Sequence, residues 1–248
     1  MKKRIAVALV AVALIVCCSV AGTLAWLTAK TESVVNTFTY GDINIDLWEH
    51  PIESDGKTLD SDGDLVKSVT NYKMIPGTVL DKDPYVEIAV GSEACWVFVK
   101  IEESGGNVTI GETTYSFDDF LAYSKYEGWT LYNTSTTGNS IDTNGNDTYV
   151  IYKSVESTVG ATEATKLPIL GSGNYTDTAV NPSFLVEWGN NELAVKPSVT
   201  KQMLNLLDKD SSGTALYPEL KFTAYAVQRD TNIDTVEKAY AIAFPSNS

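Results

Sequence analysis

The chain is poor in the residues that most often carry chemistry. It has three cysteines and one histidine in 248 residues. Two of the cysteines, Cys17 and Cys18, directly follow the N-terminal apolar run, so if the leading segment is removed as a signal only Cys95 remains and no intrachain disulfide can form. A single histidine, His50, excludes the His-Glu-x-x-His pair of a zinc protease, which needs two imidazoles on one helix face. No Gly-x-Ser-x-Gly elbow supports a serine nucleophile, and no glycine-rich phosphate loop follows a strand pattern. Basic residues are also scarce, 18 against 32 acidic, for a net charge of −14. Nucleic acid and anionic membrane surfaces repel such a chain. No internal repeat of fixed period is present, and no sortase motif with a hydrophobic tail closes the chain. These absences lead us to expect a non-enzymatic protein.

The richest local signal is at the start. Lys2, Lys3 and Arg4 precede an apolar run from Ile5 to Val16, and small residues follow as far as Ala25. A positive start, a short apolar middle and a small-residue exit are the marks of a secretory signal peptide. The run is shorter than the roughly 20 residues that cross a bilayer as a stable helix. Two cleavage points are readable, after Ala21 and after Ala25. A lipoprotein signal fits less well, because Val16 or Cys17 occupies the place where a very small residue should precede the modified cysteine. Losing Lys2, Lys3 and Arg4 leaves 15 basic residues against 32 acidic ones, a mature net charge of −17. We expect export, with membrane contact only through the uncleaved signal.

The remaining chain reads as mainly β. Alternation of apolar and polar residues marks strands at Thr37 to Tyr40, Ile43 to Trp48, Tyr85 to Val90 and Cys95 to Ile101, and again at Tyr149 to Tyr152, Phe184 to Trp188 and Leu220 to Gln228. The acidic, turn-rich segment 53–64 reads as an exposed loop, and the Asn/Thr/Ser/Gly-rich segment 133–147 as a long loop or hairpin end. Three helices are predicted: Ser116 capping Phe117 to Tyr123, Ser198 capping Val199 to Leu207, and Asp234 with Glu237 opening Lys238 to Ile242. Many short strands with a few peripheral helices predict a β-sandwich, jelly-roll or immunoglobulin-like. Trp96 and Trp188, inside β patterns, are expected in the core.

The run Gly22-Thr23-Leu24-Ala25-Trp26-Leu27, then Asn36-Thr37-Phe38-Thr39-Tyr40-Gly41-Asp42-Ile43-Asn44-Ile45, resembles the TasA/camelysin family of exported Gram-positive proteins. Ile75-Pro76-Gly77-Thr78 followed by Lys82-Asp83, and the late run Phe222 to Gln228, resemble the same family. The likeness covers Gly22 to Ile101 and Phe222 to Gln228, with little between Glu102 and Glu219.

The resemblance implies cleavage after Ala25 by a SipW-type signal peptidase. Residues 1–25 would be the signal and 26–248 one sandwich domain with insertions in 102–219. It also implies a biofilm-matrix fibre protein whose subunits join by donor-strand exchange with other copies of itself. The donor would be residues 26–35, with Trp26 and Leu27, then Val34 and Val35, as apolar anchors. Cleavage would release this arm and so trigger assembly. Matrix or surface polymers are further expected partners. A monomeric adhesin or glycan-binding module is the alternative, followed by a camelysin-like metal-dependent protease.

One metal pattern stands apart. Asp208, Asp210, Ser212, Gly213 and Glu219 fall at positions 1, 3, 5, 6 and 12 of an EF-hand calcium loop. The predicted helix Val199 to Leu207 precedes it, but a strand rather than a helix follows, and Ala215 is small for the apolar position 8. Calcium is the one cofactor the spacing suggests; a solvated acidic turn explains the same residues. Asp60-Ser61-Asp62-Gly63-Asp64 is a weaker acidic loop. Cys95, in an apolar strand, reads as a small buried side chain.

Overall fold

The computed structural model describes residues 43–69, 72–132, 148–178, 180, 183–207 and 216–245. It is mainly β. The first half holds strands β1 (Ile45–Trp48), β2 (Val79–Asp81), β3 (Tyr85–Ile88), β4 (Cys95–Ser104), β5 (Val108–Ile110) and β6 (Thr113–Tyr115). Helix α1 (Phe117–Phe120) leads into β7 (Leu121–Ala122), β8 (Ser124–Lys125) and β9 (Thr130–Leu131). Then come β10 (Thr148–Val155), β11 (Thr165–Pro168), β12 (Leu170–Gly171), β13 (Gly173–Asp177), β14 (Phe184–Trp188) and β15 (Glu192–Val195). Helix α2 (Lys201–Leu207), β16 (Glu219–Gln228) and helix α3 (Val236–Ala243) complete the order.

Two antiparallel sheets face each other. One has the order β16-β4-β10-β9 and the other β1-β3-β11. Period-two alternation decides what lies between them. Cys95, Val97, Val99 and Ile101 of β4 turn inward, beside Phe222, Ala224 and Ala226 of β16. From the opposite sheet Ile45 and Leu47, Val86 and Ile88, and Leu167 meet them. The mainly-β sandwich expected from the sequence is therefore present, with strands at the predicted places in β1, β3, β4, β10, β14 and β16.

The outer face of the four-stranded sheet is aromatic. Phe98 is fully buried there, with Tyr240 and Phe244 packed edge-on at 5.9 and 6.0 Å between ring centroids. Helix α3 supplies Ala239 and Tyr240 to this layer. Trp96 is only half-buried on this face, whereas Trp188 is buried as expected.

A second core lies beyond the sandwich. The sheet β2-β15-β7 and helices α1 and α2 bury Leu80, Leu193, Val195, Phe117, Phe120 and Met203 together. The helices of the central region are thus walls of a core, not surface additions. Several predicted helix limits shift accordingly. Ser116 does start α1, its N–H donating to Asp119 Oδ2 at 2.9 Å. The helix stops at Phe120 because Leu121 and Ala122 pair with Val195 and Ala194 as β7. Helix α2 starts at Lys201, where Thr200 Oγ1 accepts from the Met203 N–H at 3.2 Å, rather than at Ser198. Leu206 of α2 is exposed. In α3 the cap is Thr235, which accepts from the Lys238 N–H, rather than Asp234.

Candidate functional site

Strand β16 is ten residues long and pairs on one side only among the described residues, with β4. The Arg229 N–H donates to the Ala94 carbonyl at 2.8 Å, just past the end of the ladder. In an antiparallel pair this fixes the alternation. Leu220, Phe222, Ala224, Ala226 and Gln228 direct their N–H and C=O groups away from β4. Strand β1 approaches this side but makes its ladder with β3.

At the start of β16 the gap widens into a groove of about 600 Å³. Trp48 and Glu49, leaving β1, form one wall. Residues 67–69 with Tyr72 and Met74 form the second, and Tyr217 to Phe222 the third. Leu80, Leu121 and Leu193 come up from the second core as an apolar floor. The groove is positioned by β-structure on two sides, so its walls are held by ladders and not by loop packing alone.

Charges buried at this floor were not read from the sequence. Lys82 Nζ lies 2.7 Å from Glu49 Oε2, with 7 % and 9 % of the two side chains exposed. The ammonium also sits 5.2 Å from the Tyr72 ring centre and 5.7 Å from that of Phe222. The next residues along each segment meet as well. The His50 N–H donates to Asp83 Oδ1 at 3.0 Å, and His50 Nδ1 lies 2.6 Å from Asp83 Oδ2. Consecutive residues Glu49-His50 thus clasp consecutive residues Lys82-Asp83 and tie the end of β1 to the entry of β3. At the rim, Lys67 Nζ sits 3.3 Å from the Trp48 ring centre and 3.1 Å from Asp46 Oδ1.

The Tyr72 hydroxyl is buried with no hydrogen-bond partner among the described residues. Burial raises its pKa well above the ordinary tyrosine value, and the Glu49, Asp83 and Asp81 carboxylates add to the shift. A neutral O–H donor, apolar walls and an adjacent row of strand N–H and C=O groups suit the binding of an extended peptide.

The predicted site residues are distributed differently. Trp26, Leu27, Val34 and Val35 lie outside the described residues, as do Asp208, Asp210 and Ser212. Glu219 is exposed at the first position of β16, opposite Ser104, and borders the groove. The Leu216 N–H donates to the Leu207 carbonyl at 2.9 Å. Among the described residues no group of three or more His, Cys, Asp or Glu side chains is placed to hold a metal. Cys95 is fully buried between Val155 and Gln228, and burial pushes its thiol up to about 11. Of the groove residues, Lys82 and Phe222 are noted in the sequence for the family resemblance and Glu219 as a calcium candidate; nothing in the sequence joins them into one site. In comparisons with protein-family models, with curated proteins and with solved structures, nothing matches this chain.

Proposed function

We propose that this chain is an exported structural subunit of an extracellular matrix or cell surface. Residues 26–35 of one copy, freed by a SipW-type signal peptidase, dock at the groove beside β16 of the next. The observation that carries this reading is that, among the described residues, a ten-residue strand pairs on one side only and opens onto an apolar groove. Unpaired strand groups attract another strand, and alternate side chains of the incoming segment can enter the groove. Trp26 and Leu27, or Val34 and Val35, are the chain's own candidates for those places. The strong negative charge limits non-specific association and leaves specific strand addition as the route to assembly.

The test compares the mature chain beginning at Trp26 with one lacking 26–35, by size-exclusion chromatography and electron microscopy. The intact chain is expected to form fibres or ladders of oligomers, and the shortened chain to stay monomeric. Val69→Glu, which places a charge on the groove wall, should stop assembly of the intact chain without unfolding it. Fibres from the shortened chain, or a solitary intact chain at high concentration, would overturn the proposal.

A further inference from the structure

A second cleft opens on the far side of β4, in the central region that the sequence left without a role. Its volume is about 410 Å³, inside the ~300–1,000 Å³ span of small-molecule sites. Four rings line it: Tyr123, Tyr149, Tyr175 and Trp188. They come from the segment between β7 and β8, from β10, from β13 and from β14, so four separate elements converge on one place. Trp188 is locked, its Nε1–H donating to the Gly171 carbonyl at 3.1 Å. Tyr175 stands half-buried at the mouth.

The polar groups between the rings are both donors and acceptors. Glu103, 5 % exposed, accepts from the Tyr123 hydroxyl at 2.6 Å. Burial and that carboxylate raise the Tyr123 pKa, so its hydroxyl stays a proton donor. Asn174 adds an amide at the mouth. Lys125 is anchored to the Trp129 carbonyl at 2.7 Å. Lys196 is anchored to the Asp118 carbonyl and lies 4.5 Å from the Tyr175 ring centre. Glu103 and Asp118 cancel Lys125 and Lys196, so the cleft is locally neutral in a chain of net charge −14.

We propose that this cleft binds a neutral carbohydrate. A sugar presents C–H faces that pack on aromatic rings and hydroxyls that both donate and accept hydrogen bonds. An anionic polymer would find no net positive field here and a repelling molecule around it. A purely apolar ligand would take the exposed Asn174 amide and Lys125 ammonium out of water without offering either a hydrogen bond. The cleft shares only Leu121 with the β16 groove, and none of Glu103, Tyr123, Tyr175 and Trp188 lines that groove, so binding here is tested separately from self-assembly. It gives the subunit a means of holding a matrix or surface polysaccharide.

The test is native electrophoresis of the mature chain lacking residues 26–35, the form expected to stay monomeric, in gels containing dissolved hydroxyethylcellulose, laminarin or dextran, against a polysaccharide-free gel, with alginate as the anionic comparator. At least one neutral gel is expected to retard the protein. Tyr175→Ala should weaken that retardation at least tenfold, while Tyr175→Phe, which keeps the ring, should retain most of it. Glu103→Gln should also weaken it. No retardation in any neutral gel, retardation by alginate alone, or equal retardation of Tyr175→Ala would overturn the assignment.

Discussion

Lys82 Nζ and Glu49 Oε2 meet at 2.7 Å in a place where both side chains are more than nine-tenths buried. They are 33 positions apart in the chain, and their contact fixes how the end of β1 sits over the entry to β3. An ion pair this deep gains from mutual attraction what it lost on leaving water, so its net contribution is small while both partners remain. Removing one partner is different, because the other is then a buried, uncompensated charge. Lys82→Met should therefore cost about 3–5 kcal/mol, read as a lower urea midpoint. The double change Glu49→Leu with Lys82→Met should recover most of that loss. A single Lys82→Met variant as stable as the parent would show that the pair is hydrated and structurally idle.

Asp55 predicts a local acid response. Its carboxylate accepts from the Thr58 N–H at 2.9 Å, the Thr58 hydroxyl at 2.7 Å and the Lys57 N–H at 2.7 Å. These bonds, with the Thr58 backbone contribution largest, lower its pKa from 3.8 to about 2. A depressed carboxylate contributes stability that is fully present above the unfolded value and is lost as pH falls through the folded one. The turn at 55–58 should thus hold above about pH 4 and loosen between about pH 4 and pH 2. Carboxyl-carbon NMR should give an Asp55 midpoint near 2; a midpoint near 3.8 would mean that the turn bonds do not persist in solution. Asp55→Asn should flatten this limb of the acid titration.

Cys95 gives a third measurement. It is the only cysteine outside the predicted signal peptide, it is fully buried, and its thiol is pushed up to about 11. The thiolate is the reactive form, so a folded mature chain should not react with a water-soluble aromatic disulfide reagent at neutral pH. In denaturant one thiol should react at once. Cys95→Ser should cost about 1–3 kcal/mol, because it places a hydroxyl among Val97, Val155 and their neighbours. Fast labelling of the native protein would place Cys95 outside the core.

The sandwich was legible because alternation is a local property. Cys95 to Ile101 and Phe222 to Gln228 announce their buried and exposed faces residue by residue, and the structure pairs them in full register. The cap at Ser116 was legible for the same reason. Helix ends were less so. Leu121 has a good helical environment in the sequence, yet pairing with Val195 in β7 draws it into a sheet. Thr235 and Thr200 replace Asp234 and Ser198 as caps, since neighbouring residues of similar chemistry compete and packing of α3 and α2 chooses between them.

Neither of the two proposed binding surfaces could be read in advance. The groove gathers Trp48, Tyr72, Lys82 and Phe222 from four separate segments, and the cleft gathers Glu103, Tyr123, Tyr175 and Trp188 from four more. None of these sets has a spacing that a motif could capture.

The amino-acid order alone carried the expectation of an export signal, the scarcity of catalytic side chains, the acidic charge balance and the β periodicity, because each depends on composition or on neighbours one to four positions apart. The tertiary structure alone decided that α1 and α2 wall a second core, that Glu49 finds Lys82, and that one side of β16 borders a groove. Those outcomes depend on which sheets stack and where their ladders stop, and long-range packing sets both.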